Sequence, residues 1–283
     1  MLCIALFFMD IGALHAAGVR PFAPGYAMAS FSTLIGTDDL SARQPWLPAS
    51  CYHGLPRHSF SVAATQYYDV IDPGPGPLVY EAHAGMMWAR PDNIVYKMYY
   101  GYFDAFSLYY EHHAAMSLAC TRLSLLSPGI TATANTAGIR YGNSTSRTTL
   151  EAGASLYAHF TWCHLLLRVD DIAVYGRYPG FTHAPRFSLS LHTTPKPYGA
   201  QGVRMSLRTV EPPYLRVYAG QALRISPHIQ VCAAVACDPL TIACGVLLTH
   251  SSHSAAVSLA HHPVLGWSES CMYEWIPGSI ASP

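Results

Sequence analysis

The stretch "IQVCAAVACDPLTIACGVLL", Ile229 to Leu248, decides the fold. Ile229, Val231, Ala233, Val235 and Cys237 share one parity, and Ile242, Cys244, Val246 and Leu248 share one as well. A period of two is what a β-strand needs to place its apolar groups on one face. Between the two runs, "DPLT" (Asp238–Thr241) supplies a turn with proline preset for its second position. Folding there pairs Cys237 with Ile242 and Val235 with Cys244, and both apolar sets then lie on the same face of a sheet. Cys237 and Cys244 fall diagonal to each other, which argues against a disulfide between them.

The same rhythm runs outward from this hairpin. Val203, Met205 and Leu207 alternate with Arg204, Ser206 and Arg208. Leu215, Val217, Ala219, Leu223 and Ile225 alternate with Arg216, Tyr218 and Arg224, and Gln221 is an exception on the apolar parity. Earlier come Phe60–Val62–Ala64, then Leu78 to Trp88 opposite Glu81 and His83, and Ile94 to Tyr102 opposite Lys97. Leu150 to Trp162 alternates with Glu151, Ser155, His159 and Thr161, and Phe187–Leu189–Leu191 with Ser188, Ser190 and His192. About 12–14 such segments are expected, many of about 9–11 residues, a length that suits a tilted strand crossing a bilayer. Two places lack the rhythm: Gly36–Arg57, expected as a short helix and loop, and the Pro-rich Thr193–Gly202. Neither reads as a domain linker, so one all-β domain is expected over 18–275, with a tail at 276–283.

Composition narrows the class. Charged residues are 11% of the 283, hydrophobic residues 51%, and there are 19 tyrosines. The charged share is roughly half of the usual ~25%, which is little with which to coat a water-soluble globule. Lys+Arg and Asp+Glu balance at 16 each, so nothing points to nucleic acid as a partner. No apolar run is long enough for an ordinary transmembrane helix. The compact run at the start, with Ala16, Ala17 and Gly18 after it, reads as an export signal over 1–17. Asp10 interrupts that run, and no Lys or Arg precedes it. The eight cysteines contain no CxxC pair and mostly occupy apolar-face positions, where a free thiol acts as a small hydrophobe.

Two architectures share this pattern. A soluble sandwich turns the apolar face inward; an outer-membrane barrel turns it to lipid and the polar face to a lumen. The polar sets are rich in Ser, Thr, Gly and Tyr rather than Lys and Glu, which favours the barrel. So do aromatic residues near segment ends: Tyr99, Tyr100, Tyr102, Tyr109, Tyr110, Trp162, Trp267 and Trp275, expected as interfacial girdles. The expected fold is therefore an antiparallel transmembrane β-barrel in the cell outer membrane. In its last strand Trp267, Cys271, Tyr273 and Trp275 would face lipid, with Ser268, Ser270, Met272 and Glu274 toward the lumen and Glu269 on the outward parity.

Candidate lumen residues follow from the polar parity: Arg204, Arg208, Arg216, Tyr218, Arg224, Glu151 and His159. An arginine on the lipid face would cost about 2–4 kcal/mol at the midplane, so these positions suit a lumen. They would either guide anionic solutes or pair with Glu81, Glu151 or Glu211. Catalytic and metal chemistry find no support: GxSxG and HExxH are absent, and "DPGPGP" (Asp72–Pro77) reads as a turn. His112–His113 and His261–His262 are adjacent pairs, whose side chains point to opposite faces of an extended segment. No enzyme activity, cofactor or metal is expected.

Both ends carry a resemblance. "ASFSTLIGTDDLSARQPWLPASCYHGLPRHSFSV", beginning at Ala29, resembles the start of the long-chain fatty-acid transporter-like and PorV-like outer-membrane barrels. Thr37-Asp38-Asp39 sits where their acidic stretch lies, Leu47-Pro48-Ala49 stands in for Asn-Pro-Ala, and Arg57-His58-Ser59-Phe60 opens a strand. "DPLTIACGVLLTHSSHSAAVSLAHHPVLGWSESCMYEW", from Asp238, is similar to their last hairpins. The resemblance implies a barrel with a short N-terminal segment in the lumen, residues 36–57. It also implies passage or binding of small hydrophobic or amphipathic, fatty-acid-like molecules. Membrane lipid, such a ligand and the outer-membrane assembly machinery are the partners it implies. A structural or accessory barrel that binds a protein, and a soluble periplasmic β-sandwich, are the competing expectations.

Overall fold

The computed structural model describes residues 49–51, 58–67, 79–122, 125–140, 145–176, 185–193, 199–208, 214–237, 240–262 and 266–277. The expected leader at 1–17, most of the 36–57 segment, Glu211 and the end of the C-terminal tail lie outside these residues. A 3-10 turn at Ala49–Cys51 precedes the strands. The strands are β1 (His58–Tyr67), β2 (Val79–Ala89), β3 (Ile94–Ala105), β4 (Tyr109–Cys120), β5 (Leu126–Ile139), β6 (Thr145–His159) and β7 (Cys163–Tyr175). They continue with β8 (Arg186–Thr193), β9 (Gly199–Arg208), β10 (Tyr214–Ser226), β11 (Ile229–Cys237), β12 (Thr241–His250), β13 (His253–His262) and β14 (Gly266–Trp275). Each pairs antiparallel with its chain neighbours, and β1 closes on β14 through Phe60↔Trp275 to Tyr67↔Ser268. Closure leaves no open sheet edge and removes the soluble-sandwich alternative.

The polarity is inverted relative to a water-soluble core. Outward side chains are apolar and exposed: Ile130 63%, Ile242 60%, Val257 61%, Val174 70%. They occur on strands all round the barrel, whereas soluble monomers rarely expose contiguous apolar patches beyond a few hundred Å². Many inward side chains are polar or small and buried, among them Ser61, Thr65, Lys97, Glu151, Arg186 and Glu274, beside apolar ones such as Met87, Phe103 and Leu247. The barrel thus has the transmembrane type of fold.

Three expectations need correcting. The β11–β12 hairpin pairs Val235 with Ile242 and Ala233 with Cys244, two positions from the register expected from "DPLT". A shift of two keeps every side chain on its face, so the local pattern cannot distinguish the registers. The neighbouring strands do, through Leu223↔Val231 on one side and Val246↔Val257 on the other. The Pro-rich stretch near residue 198 is not all loop, because Gly199–Gly202 opens β9, where Gly202 pairs with Gly220. Glycines carry no apolar contrast, so only the ladder reveals them as strand. Finally, Tyr99 and Tyr109 are not girdle residues. They lie on the inward parity of β3 and β4, Tyr99 bonded to His83 and Tyr109 packed on the cluster around Phe103, Ala63 and Met272.

Other residues of the expected girdle do face outward. Trp162 and Trp267 are exposed on the outside, and Trp275 stacks on Phe60 with ring centroids 5.7 Å apart. On β3 and β4, Tyr100 hydrogen-bonds the outward His112. The β3–β4 turn places Phe106 and Ser107 at φ 55°, a left-handed conformation unusual for either residue. Asp104 offsets part of that strain by accepting the Ser107 N–H at 2.9 Å, and it also receives Tyr102 and Arg140. The bonds Arg140 makes, first to Tyr102 and then to Asp104, raise its pKa above the ordinary arginine value.

Candidate functional site, a lumen with two unlike walls

The inward parity of β2 to β6 carries a continuous polar belt. Register sets His83, Gly101, His113, Asn135 and Thr149 in one row across β2, β3, β4, β5 and β6. Gly101 leaves a gap in that row, and the Tyr99 ring fills it. A Cβ on Gly101 would meet Tyr99 Oη at 2.7 Å and His83 Nδ1 at 2.9 Å. Tyr99 shares a 2.6 Å hydrogen bond with His83 Nδ1, and His83 Nε2 lies 3.0 Å from Glu81. On its other side Tyr99 meets the His113 ring edge to face, with centroids 5.1 Å apart. His113 bonds Asn135, and Asn135 Nδ2 donates to Glu151 at 2.6 Å. Glu81, His83, Tyr99, His113, Asn135 and Glu151 therefore form one chain of contacts. Satisfying each polar group within the chain is what makes its burial tolerable.

Two further inward clusters extend this wall. His164 accepts or donates at 2.7 Å with Tyr157 and at 2.8 Å with His159. Toward the other end, Arg168 Nε lies 2.6 Å from Asp170, with Arg186 3.6 Å away on β8. A bulge places Asp171 at φ 61°, and its carboxylate lies 3.7 Å from Arg186 Nε. Lys97 lies within electrostatic reach of Cys51, Glu274 and Arg168.

The wall from β11 to β14 is different in kind. Its inward residues include Cys232, Ala234, Ala243, Leu247, Ser254, Ser258, Ala260, Ser268, Ser270 and Met272, all buried. Glu274, fully buried, and Gln230 are the larger polar residues described there on the inward parity. Thr65 of β1 donates to Ser270 of β14 at 3.0 Å, joining the small wall to the start of the chain.

The N-terminal turn sits inside, against the first wall. Ala49 N–H donates to Ser117 Oγ at 2.9 Å, and Ser50 Oγ lies 2.7 Å from Ser155 Oγ. Gly129 makes the seat, since a Cβ there would meet Ser155 Oγ at 3.0 Å and the Ser50 Cβ at 3.1 Å. Ala49 also packs with Met87, Val95 and Ala119. Of the segment expected over 36–57, the described residues Ala49–Cys51 form a 3-10 turn on the inward face.

The residues singled out from sequence are dispersed over this frame. Glu151 is in the belt, and His159 is in the neighbouring His164 cluster. Arg224 is exposed near the β10–β11 turn, beside the irregularity at Arg224/Ser226. Arg204 pairs in register with Ser190 and Tyr218, Arg208 with Arg186 and Tyr214, and Arg216 with Ser206. The side chains of Arg204, Arg208, Arg216 and Tyr218 lie outside the described part. Trp267, Cys271, Tyr273 and Trp275 are exposed outside, opposite in parity to Ser268, Ser270, Met272 and Glu274. Glu81 takes His83 as a partner and Glu151 takes Asn135. The residues not singled out were Tyr99, His113, Asn135, Asp170 and Arg186. Each lies on the inward parity of its strand, and that parity was the available signal. His112 and His113 do point to opposite faces, the first to Tyr100 outside and the second to Asn135 inside.

No family model matches this chain, and no curated protein matches its sequence. Solved structures do resemble it. The deltaS2 mutant of the monoaromatic hydrocarbon channel TodX aligns with TM-score 0.54 at 8% identity, covering 80% of this chain and 91% of that one. A mutant of the Rh. blastica porin aligns with TM-score 0.44 at 8% identity, covering 77% of this chain and 98% of that one. At such identity the TodX likeness concerns the fold, and what this chain shares with that channel is the β-barrel.

Proposed function

We propose that the protein is an outer-membrane barrel of the long-chain fatty-acid transporter-like or PorV-like kind. Its role in this reading is passive passage or binding of small hydrophobic or amphipathic molecules, without catalysis. The observation that carries the reading is the pair of unlike walls. A solute with one polar end and one apolar body finds hydrogen-bonding groups on β2–β6 and small, mostly neutral groups on β11–β14. The outward apolar surface supports a bilayer as the surrounding medium, with membrane lipid and the assembly machinery as partners. The hydrocarbon channel TodX supports an apolar solute as a second candidate class. The N-terminal turn in the lumen favours binding or gated passage over an open pore, and it also suits an accessory barrel that holds a protein partner.

Detergent phase partitioning and heat-modifiable gel mobility test the membrane reading, and recovery in the aqueous phase would sink it. Uptake of labelled dodecanoate into liposomes tests passage. Wild type is expected to exceed empty liposomes, and the Arg216→Ala, Arg224→Ala double variant to take up less. Uptake equal to empty liposomes leaves the accessory reading standing.

A further inference from the structure

The outer face carries a polar defect. Cys244, Leu259, Glu269, Gln66 and Tyr80 form one row across β12, β13, β14, β1 and β2. All are on the outward parity, and all border a groove of ≈ 780 Å³. The groove is amphipathic. Glu269, Gln66 and Tyr80 form its polar end, and Val246, Val257 and Val231 its apolar end. Glu269 is exposed and makes no ion pair or hydrogen bond with the described residues. A carboxylate so placed among apolar side chains loses most of its hydration in a bilayer, and a cationic hydrogen-bond donor would restore the balance. Pockets for small molecules span about 300–1,000 Å³, so this one suits a single-chain ligand.

We propose that this groove binds a single-chain amphiphile with a primary ammonium head, the ammonium on Glu269 and Gln66 and the chain toward Val246 and Val257. Charge complementarity chooses the head: an alkyl carboxylate would set two anions together at low dielectric. Glu269, Gln66 and Tyr80 lie on the outward parity, so the ammonium site is separate from the one proposed for passage, although the inward-parity Thr65, Glu81, Gly245, Ser258 and Ser270 also border the groove. It rests on the bilayer reading, because the outer face must be lipid-facing.

Trp267 provides the readout, two residues from Glu269 on the same face and exposed. The protein is reconstituted in phosphatidylcholine vesicles with brominated dodecylamine, dodecanoate or dodecanol at equal mole fraction in the bilayer. Quenching of the Trp267-dependent fluorescence, assigned with Trp267→Phe, is followed. The amine is expected to quench at about tenfold lower concentration than the acid or alcohol, a difference worth about 1.4 kcal/mol. Glu269→Gln should abolish that advantage, and Glu269→Asp should keep part of it. Equal quenching by the three in wild type, or an advantage that survives Glu269→Gln, overturns the proposal. The wild-type comparison decides by itself if the Gln variant does not fold. Failure of the wild type to enter vesicles would take down the bilayer reading as well; insertion without amine preference overturns this proposal alone.

Discussion

The two halves of the barrel solve the problem of an inward face differently. From β2 to β7 the strands run from 11 to 15 residues, and the lumen side carries Glu, His, Tyr, Asn, Arg and Asp in hydrogen-bonded chains. From β11 to β14 they run 9 to 10 residues, and the described lumen side is mostly Ala, Ser, Cys, Gly, Leu and Met, with Gln230 and Glu274 as its larger buried polar residues. The first wall is held together by mutual satisfaction of polar groups, so each depends on the next. The second needs fewer such links, since most of its side chains are small and bury little polarity. Loss of one side chain should therefore propagate in the first wall and stay local in the second.

The largest effect is expected at Asp170. Asp170→Ala leaves Arg168 and Arg186 without the carboxylate they share, and truncating one partner of a buried ion pair costs about 3–5 kcal/mol. Urea titration of barrel fluorescence in vesicles should show that loss, and a change under 1 kcal/mol would make the first wall no more coupled than the second. Next comes the contrast of faces at neighbouring positions. Val257→Arg on the outside should cost about 2–4 kcal/mol near the midplane, and Val257→Thr clearly less. Equal costs would show that this face does not meet lipid. Gly101→Val should follow, at about 1–3 kcal/mol from overpacking, because its side chain enters the space of Tyr99 and His83. Tyr99→Phe, which removes only the hydroxyl, is expected at about 1 kcal/mol.

Smallest in stability, yet informative for function, is the pair Ser117→Ala with Ser155→Ala. Each removes one hydrogen bond to the N-terminal turn, about 0.5–1.5 kcal/mol. If the turn restricts the lumen, liposome swelling should rise in the double variant while Ser258→Ala on the second wall leaves it unchanged. Swelling that rises in both, or in neither, would deny the turn that role.

Much of the candidate site was legible in parity. Glu151 and His159 lie on the inward face because they alternate with Leu150, Leu156 and Phe160, and the sequence shows that alternation directly. Tyr99 shares the parity of Lys97, yet its aromatic ring read as a girdle residue; His113 was harder, since His112 beside it lies on the opposite face and composition cannot say which of the two turns inward. Gly101 was invisible, because its role is an absence that only a neighbouring strand can fill.

The sequence by itself determined the alternation, and with it the antiparallel strands, their apolar and polar faces and the inverted economy of charge, because side chains on a strand alternate whatever surrounds them. Only the tertiary structure decided closure of β1 on β14, the β11–β12 register and the polar belt. Those depend on partners far apart in the chain, as Thr65 and Ser270 are, and a shift of two residues looks the same from within a single hairpin.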